Sequence, residues 1–227
     1  MQETRQAVDP RLQEIYPDFT KLLEKVRQGK SFLTLEKRHR IFSQGEPADA
    51  IYFIQSGKVK ITAVSADGKE AVFAVLGPNA FFGETCLVDQ SHWLSSATTV
   101  EASTIFRIEK SVMTRILGDH SEFRRRFTAG LLVRVMRLEE DVRAQFFYDR
   151  DKKLARVLVK LAQLSRHNTA TDVALERWSH ETLAKMVNSS RSHITRVMNK
   201  FKRKGLIDYN RSLIVRTKRL SNALLRD

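Results

Sequence analysis

The chain of 227 residues is poor in cysteine and has no long apolar run. Its one cysteine, Cys86, excludes an internal disulfide, a thiolate zinc site and a cysteine-ligated iron–sulfur cluster within one chain. No stretch approaches the roughly 18 consecutive apolar residues that a membrane helix needs. Residues 1–18 carry both charge signs and no apolar core, so we expect no secretory signal there. These absences predict a cytoplasmic protein with no membrane partner.

Acidic residues are scarce in the last third of the chain. Residues 149–227 contain 19 Lys/Arg against 7 Asp/Glu, a net charge of +12, whereas residues 1–148 have a net charge of +2. Positive charge concentrated in this way is typical of a segment that binds nucleic acid. A basic solubilising tail is the alternative. Because the segment is also rich in periodic apolar residues, the sequence favours a folded module.

Proline and glycine are concentrated in the first part of the chain. All four prolines lie at or before Pro78, and six of the nine glycines lie between Gly29 and Gly83. Asp67-Gly68 predicts a type I′ hairpin turn, because this pair readily adopts two positive φ angles. Short strands separated by such turns predict a sandwich or a barrel. The predicted strands include 51–54, 58–62, 71–76 and 98–108.

The hydrophobic period changes to a helical one beyond about residue 110. The segment from Ser121 to Phe147 contains no proline and predicts one long helix. Apolar residues on more than one face indicate that this helix packs on the barrel and against a second copy of itself. An ordinary core helix is an alternative that the periodicity leaves open. Four residues step by four, three and four positions, as in a coiled-coil seam: Leu131, Val135, Leu138 and Val142.

Two short helices joined by a tight turn are predicted near the C-terminal end. Ser179 can N-cap a helix that ends at Val187, and Ser190 can N-cap another that begins at Arg191. Asn188 tolerates the left-handed backbone conformation that a tight turn between them requires. This pattern predicts a helix-turn-helix. Residues 206–209 and 213–215 then predict a hairpin, the wing.

The second helix of this pair has one apolar and one polar face. In a helix-turn-helix, residues near the start of this helix reach base edges in the major groove. Arginine suits guanine there and asparagine suits adenine, while lysines suit phosphates. A solvated basic helix pair without DNA contact is the alternative. The residues that we predict to contact DNA are Arg191, Ser192, Thr195, Arg196, Asn199, Lys200 and Lys202.

Several motifs together resemble a known family. Residues 41–47, Ile-Phe-Ser-Gln-Gly-Glu-Pro, and residues 50–59, Ala-Ile-Tyr-Phe-Ile-Gln-Ser-Gly-Lys-Val, look like the opening of a cyclic-nucleotide-binding-type β-barrel. Residues 82–84, Phe-Gly-Glu, and 95–98, Ser-Ser-Ala-Thr, look like its ligand-binding segment. With the long helix and the winged helix-turn-helix, nearly the whole chain resembles the Crp–Fnr superfamily of bacterial transcription regulators.

The resemblance implies a fold of the α+β class and a set of partners. An N-terminal double-stranded β-helix, or jelly-roll barrel, is followed by a long dimerisation helix and a C-terminal winged helix-turn-helix. The implied domains are a helical lead-in over 1–30, the barrel over 31–120, the dimerisation helix over 121–147 and the winged helix-turn-helix over 148–227. The implied partners are a second copy of the chain, double-stranded DNA with an inverted-repeat operator, and RNA polymerase.

The resemblance also implies an effector pocket formed by Gly83, Glu84, Ser95 and Ser96. In members that bind cyclic nucleotide, the Gly-Glu pair contacts the ribose and an arginine pairs with the cyclic phosphate. The arginine position falls on Leu94 or Ser95, and neither carries the charge of a bidentate phosphate contact. We therefore expect the barrel to be a scaffold or to sense another molecule. Weaker binding of cyclic nucleotide through hydroxyl groups stays open as the alternative.

Rival classes of protein lack support in the sequence. An enzyme of the cupin type shares the jelly roll, but its metal site needs clustered ligands, and no His-x-His occurs here. A regulatory cyclic-nucleotide module without DNA activity would leave the basic C-terminal segment unexplained. No cofactor is assigned: the histidines at 39, 92, 120 and 167 are each isolated, which argues against haem ligation. We interpret Cys86 as a small buried residue and Trp93 as packing on the barrel.

Overall fold

The computed structural model describes Phe19, Leu23 and residues 28–165, 172–176, 178–209 and 212–225. Its contacts divide the chain into two compact units, one of Met1–Ile61 with Leu76–Arg143 and the other of Thr62–Val75 with Ala144–Asp227. Most of the predicted lead-in over 1–30 lies outside the described residues. Phe19 and Leu23 are helical and buried, and the Phe19 ring meets Phe123 edge-on with its centroid 5.0 Å away.

Within the described residues, eight strands form two four-stranded sheets, which confirms the predicted jelly roll. The strands are β1 Lys30–Leu35, β2 Arg40–Phe42, β3 Ala50–Ser56, β4 Val59–Val64, β5 Glu70–Leu76, β6 Phe81–Phe82, β7 Ser96–Thr99 and β8 Ser103–Glu109. The first sheet has the order β1-β8-β3-β6 and the second β2-β7-β4-β5. In the first sheet every pair of neighbouring strands is antiparallel.

The core of the first unit is rich in aromatic rings. Five consecutive residues of β3, Ala50–Ile54, are buried, as expected for a central strand covered on both faces. Trp93 is only 4% exposed and stacks on Phe42 with a centroid distance of 4.2 Å. Packing on the barrel, which was the interpretation preferred for Trp93, is therefore confirmed.

Two details of the strand prediction are wrong. The strand expected over 98–108 is two strands, because the chain passes from the second sheet to the first between β7 and β8. The hairpin turn is not type I′, since Gly68 has a φ of 80° but Asp67 has no positive φ. Instead the Gly68 N–H donates to the Ser65 carbonyl, and the Ser65 N–H donates to the Lys69 carbonyl, each at 2.9 Å. A longer loop with glycine in the left-handed position closes the hairpin equally well.

In the part of the chain that the structure describes, six helices follow the strands of the sandwich, interrupted by the three short strands of the C-terminal sheet. They are α1 Lys110–Asp119, α2 Ser121–Phe147, α3 Arg150–Leu164, α4 His180–Val187, α5 Arg191–Arg203 and α6 Thr217–Leu225. The long helix α2 has the predicted bounds. It buries Phe123, Phe127 and Val133, whereas most of the predicted seam is exposed in a single chain. Leu131 is half-buried, and Val135, Leu138 and Val142 are 49%, 49% and 54% exposed.

A small antiparallel sheet accompanies α3 to α6 in the second unit. It consists of β9 Asp172–Leu175, β10 Ile207–Tyr209 and β11 Leu213–Arg216 in the order β10-β11-β9. The wing hairpin was predicted, whereas β9 and α6 were not. Only two side chains of β9, Val173 and Leu175, are buried, which is too weak a pattern to detect in a sequence.

The described part of the chain was also searched for membrane spans and metal sites. No described helix is long and apolar enough to cross a membrane. No cluster of three or more His, Cys, Asp or Glu side chains suited to a metal ion occurs among the same residues.

Candidate nucleic-acid interface and effector pocket

Local hydrogen bonds begin and end the two helices of the helix-turn-helix as predicted. The Ser179 hydroxyl accepts from the Thr182 N–H at 3.0 Å, and the Ser190 hydroxyl accepts from the His193 N–H at 3.2 Å. Asn188 ends α4 in the left-handed conformation with a φ of 49°. Each serine satisfies an N–H group that the first turn of a helix leaves without a partner.

Helix α5 separates a buried face from an exposed one. Ile194, Val197, Met198 and Phe201 are all at most 6% exposed and lie in the core of the second unit. All seven side chains predicted to contact DNA are exposed, and they lie on this one helix. The structure therefore brings the predicted contact residues together on one surface, and their contact with DNA stays a prediction.

Polar contacts connect α5 to α3 beneath this surface. The Arg196 guanidinium lies 2.8 Å from His193 Nδ1, and His193 Nε2 lies 3.3 Å from an oxygen of Asp151. The other oxygen of Asp151 accepts from Lys200 Nζ at 2.7 Å. Lys200, expected to contact phosphate, is thus paired with a carboxylate of its own chain.

A second histidine joins α4, α5 and the wing. His180 Nδ1 lies 2.8 Å from the Thr195 hydroxyl, and Nε2 lies 3.4 Å from the Tyr209 hydroxyl. Because Thr195 donates to the Arg191 carbonyl, it accepts from His180 Nδ1–H. Burial, and secondarily the charge of Arg191, lower the pKa of His180 from its ordinary value. The imidazole is therefore neutral around pH 7 and holds Thr195 in place.

The wing and the end of α5 are joined by cationic side chains. Arg216 donates to the Gly205 carbonyl at 2.7 Å. Gly205 has a φ of 64°, and a Cβ there would approach Arg216 Nη1 to 3.2 Å, so both backbone conformation and space favour glycine. Lys202 Nζ lies over the ring of Tyr209, 5.8 Å from its centroid.

In the expected effector pocket, Gly83 and Glu84 are positioned by tight packing. Gly83 has a φ of 79° and precedes a short 3₁₀ helix over Glu84–Val88. A Cβ at Gly83 would lie 3.1–3.2 Å from atoms of Trp93, Ala50 and Tyr52, so a larger residue would displace these groups. The carboxylate of Glu84 accepts a hydrogen bond from Arg134 of α2.

The serines of the expected pocket differ in their surroundings. Ser96 is buried, and its hydroxyl accepts from the Gln44 N–H at 2.9 Å, so this oxygen supports the backbone. Ser95 is half-buried. Leu94, at one of the two positions expected for a phosphate-binding arginine, is 63% exposed. None of these three side chains offers a positive charge to a phosphate.

Cys86 is buried beside this segment, as interpreted from the sequence. Its thiol donates to the Ala50 carbonyl at 3.5 Å. Burial raises the pKa of Cys86 to about 11. The thiol is therefore protonated at neutral pH and lacks the thiolate character that reactive cysteines need.

Sequence reasoning missed three residues that organise these surfaces: Arg134, His180 and His193. His193 had a weak signal, because it precedes Arg196 by three positions and so lies one helical turn away. The contacts of Arg134 with Glu84 and of His193 with Asp151 join distant parts of the chain. No local pattern in the sequence reveals such contacts.

Two family profiles match the chain. Residues 32–120 match a cyclic nucleotide-binding domain, and residues 152–223 match a Crp-like helix-turn-helix domain. The first match contains the jelly roll with Glu84, and the second contains the helix-turn-helix with the wing.

Individual proteins are similar to the chain over most of its length. A CRP-like cAMP-activated global transcriptional regulator of Mycobacterium tuberculosis is 31% identical over 173 residues, which cover 74% of this chain and 76% of the relative. The cAMP-activated global transcriptional regulator CRP of Haemophilus influenzae is 27% identical over 175 residues, covering 75% and 77%.

Solved structures share the fold at lower identity. The c-di-GMP responsive global regulator CLP of Xanthomonas campestris superposes with a TM-score of 0.69 at 22% identity, covering 86% of this chain and 98% of that one. A CRP-family transcriptional regulator of Thermus thermophilus gives a TM-score of 0.70 at 21% identity, covering 85% and 96%.

Proposed function

Because the chain belongs to the Crp–Fnr family of DNA-binding transcription regulators, we propose that it acts as a homodimer that reads an inverted-repeat operator. The family and the relatives named above are regulators, so the chain is a regulator and not an enzyme. The observation that carries the proposal is the divided surface of α5. One face is buried in the core, the opposite face presents Arg196 and Asn199 to solvent, and Arg191 is exposed at the helix start.

The proposed readout follows from the chemistry of this exposed face. Arginine forms two parallel hydrogen bonds with guanine O6 and N7, and asparagine does the same with adenine. Arg191 stands at the start of α5 and Arg196 between one and two turns further, so the two can address neighbouring bases. Ser192 and Thr195 lie between them on the same face. Lys202 near the end of the helix contacts phosphate and adds affinity without sequence preference.

The proposed dimer pairs the seam of Leu131, Val135, Leu138 and Val142 with the same seam of a second copy. A twofold interface needs a self-complementary surface, and a stripe of apolar residues along one helix provides it. The exposure of three of these side chains in the single chain supports this assignment, because a soluble monomer gains nothing from an exposed apolar stripe.

We propose that the domains have the predicted bounds: a lead-in over 1–30, a sensing barrel over 31–120, a dimerisation helix over 121–147 and a DNA-binding domain over 148–227. The barrel serves as a scaffold or takes an effector other than a cyclic nucleotide. Two relatives are cAMP-activated by name, but Leu94 and Ser95 leave this barrel without the arginine that would pair with a cyclic phosphate. We place the protein in the cytoplasm, where RNA polymerase is its further partner.

Selection of bound sequences from random double-stranded DNA by the full chain tests the proposed function. The expected result is an inverted repeat whose half-sites lie roughly 34–36 Å apart, one helical turn of DNA. Arg196→Ala should cost about 1–3 kcal/mol of binding free energy and relax one base pair in each half-site. Lys202→Ala is the matched control, and it should weaken binding to all sequences alike and reduce the salt dependence.

Two outcomes contradict the proposal. Selected sites without twofold symmetry would exclude the inverted-repeat readout. If Arg196→Ala loses affinity equally for selected and for random DNA, Arg196 does not recognise a base. Repeating the selection with a panel of small molecules, cyclic AMP included, identifies any effector by the change in affinity that it causes.

A further inference from the structure

We infer that His193 is a positioning residue for specificity: it holds Arg196 in the orientation in which Arg196 reads a base. The inference rests on the proposed function, because it takes Arg196 as a base-reading residue. His193 itself lies on the turn of α5 that leads to Arg196, with its side chain only 14% exposed. It is therefore placed behind the reading surface and not on it.

The chemistry of the contact assigns the proton on the imidazole. A guanidinium has only donors, so His193 Nδ1, 2.8 Å from Arg196, must accept. The ring proton is then on Nε2, which lies 3.3 Å from an Asp151 oxygen. This Nε2 is buried, and no well-aligned hydrogen bond reaches it from the described residues. The charge of Asp151 nevertheless favours a proton on the nitrogen that faces it.

Asp151 fixes this arrangement to a second helix. It lies in the first turn of α3, where a negative charge is stabilised by the N–H groups at the helix start. Its second oxygen is held by Lys200 at 2.7 Å. The carboxylate thus has a cation on one side and an imidazole on the other, and the imidazole in turn holds Arg196.

The consequence is a preordered arginine. An unrestrained arginine loses side-chain entropy when it is fixed in one rotamer. A contact made within the protein itself reduces that loss on binding. The bond to His193 uses one of the five N–H donors of Arg196 and leaves others for a bidentate contact with guanine. A histidine retained only for packing would not need to direct both ring nitrogens at charged groups.

Binding by the full chain to the selected operator and to its single-base variants tests the inference. Arg196→Ala first identifies the base pair that Arg196 reads. His193→Ala should then reduce discrimination at that base pair about tenfold and leave affinity for random DNA unchanged. His193→Asn, whose side-chain oxygen can replace Nδ1 as acceptor, should restore most of the discrimination. His39→Ala, which removes an exposed histidine of the first unit, is the matched control for the loss of an imidazole and should leave discrimination unchanged.

The outcomes separate this inference from the proposed function. If Arg196→Ala relaxes no base pair, the proposed readout is wrong. If Arg196→Ala relaxes one base pair and His193→Ala leaves it intact, the positioning role is wrong. An equal loss of affinity for all sequences in His193→Ala also overturns it. In the Arg196→Ala background, His193→Ala should have no further effect at that base pair.

A measurement without DNA tests the same contact. Nitrogen-15 NMR of the full chain distinguishes a protonated ring nitrogen from a bare one. We expect His193 to carry its proton on Nε2 in the wild-type chain, and to lose this preference in Asp151→Ala. A proton on Nδ1 in the wild-type chain would contradict acceptance from Arg196 and overturn the inference.

Discussion

Arg134 of the long helix α2 donates a hydrogen bond to the carboxylate of Glu84 in the segment expected to bind an effector. The two side chains are 32% and 18% exposed, so the pair is only partly screened by solvent. It links the short 3₁₀ helix after Gly83 directly to the helix that carries the predicted dimer seam. Any molecule that contacts Glu84 has to share or replace Arg134 as its partner.

Removing either partner of this pair should destabilise the first unit. We expect Glu84→Gln and Arg134→Gln each to lower the free energy of unfolding by about 1–2 kcal/mol, because each leaves a partly buried charge without its partner. The double variant should lose little more than either single variant. Denaturant unfolding measures all three. Arg125→Gln, which breaks an exposed pair with Glu122 on the same helix, is the control and should have little effect. Strictly additive losses for the pair would contradict a direct coupling.

Cyclic AMP should leave both the melting temperature and the DNA affinity unchanged. A ligand that binds only the folded state at a hundredfold excess over its Kd adds about 2.7 kcal/mol of stability. The uncharged Leu94 and Ser95 do not supply the phosphate contact on which such binding depends. Thermal unfolding with increasing cyclic AMP measures the effect. A shift of several degrees would refute this expectation, and Glu84→Ala should then abolish the shift.

Leu138→Lys should convert the proposed dimer to monomers. The substitution places a charge in the middle of the apolar seam, where a second lysine from the other copy would face it. We expect operator affinity to fall by about 100-fold or more, because the two DNA-binding domains no longer bind the operator as one unit. Analytical ultracentrifugation and gel shifts measure both effects. Arg143→Ala, an exposed position off the seam that also changes the charge by one, should stay dimeric. A Leu138→Lys protein that stays dimeric would place the interface elsewhere.

The parts of the fold that follow from local chemistry could be predicted from the sequence. Ser179 and Ser190 cap the two helices because a hydroxyl one residue before a helix reaches an N–H in its first turn. Asn188 ends α4 because it tolerates a positive φ. Likewise, the apolar period of α5 identified its buried face, since that period depends only on helix geometry.

The parts that depend on contacts between distant residues could not be predicted. Glu84 and Arg134 are 50 positions apart, and neither has a neighbour in sequence that indicates the pairing. The same holds for Asp151, which lies in the first turn of α3 and contacts His193 and Lys200 of α5. The charge of Lys200 can be read from the sequence, so a phosphate contact was predicted for it. The sequence does not show that the Asp151 carboxylate lies against Lys200 in the folded chain.

The lowered pKa of His180 predicts how the stability of the second unit depends on pH. Burial disfavours the charged imidazole, and the neighbouring Arg191 disfavours it further, so the folded state binds its proton only below the ordinary value of 6.5. Between these two pKa values the unfolded chain binds more protons than the folded chain. The contribution of His180 to the free energy of unfolding is therefore complete above pH 6.5. It decreases as the pH falls through that value towards the folded-state pKa, and becomes constant below it.

His180→Gln should remove this part of the pH dependence, because glutamine does not titrate. Denaturant unfolding of the wild-type chain and the variant, followed by circular dichroism from pH 7.5 down to about 5, measures the difference. We expect the wild-type chain to lose more stability than His180→Gln as the pH falls, with the curves parallel above pH 7. His39→Gln replaces an exposed histidine of the first unit and is the control for the loss of one imidazole. If His180→Gln loses as much stability as the wild-type chain over this range, the burial of His180 against Thr195 and Tyr209 does not disfavour its charged form, and the basis of the prediction is wrong.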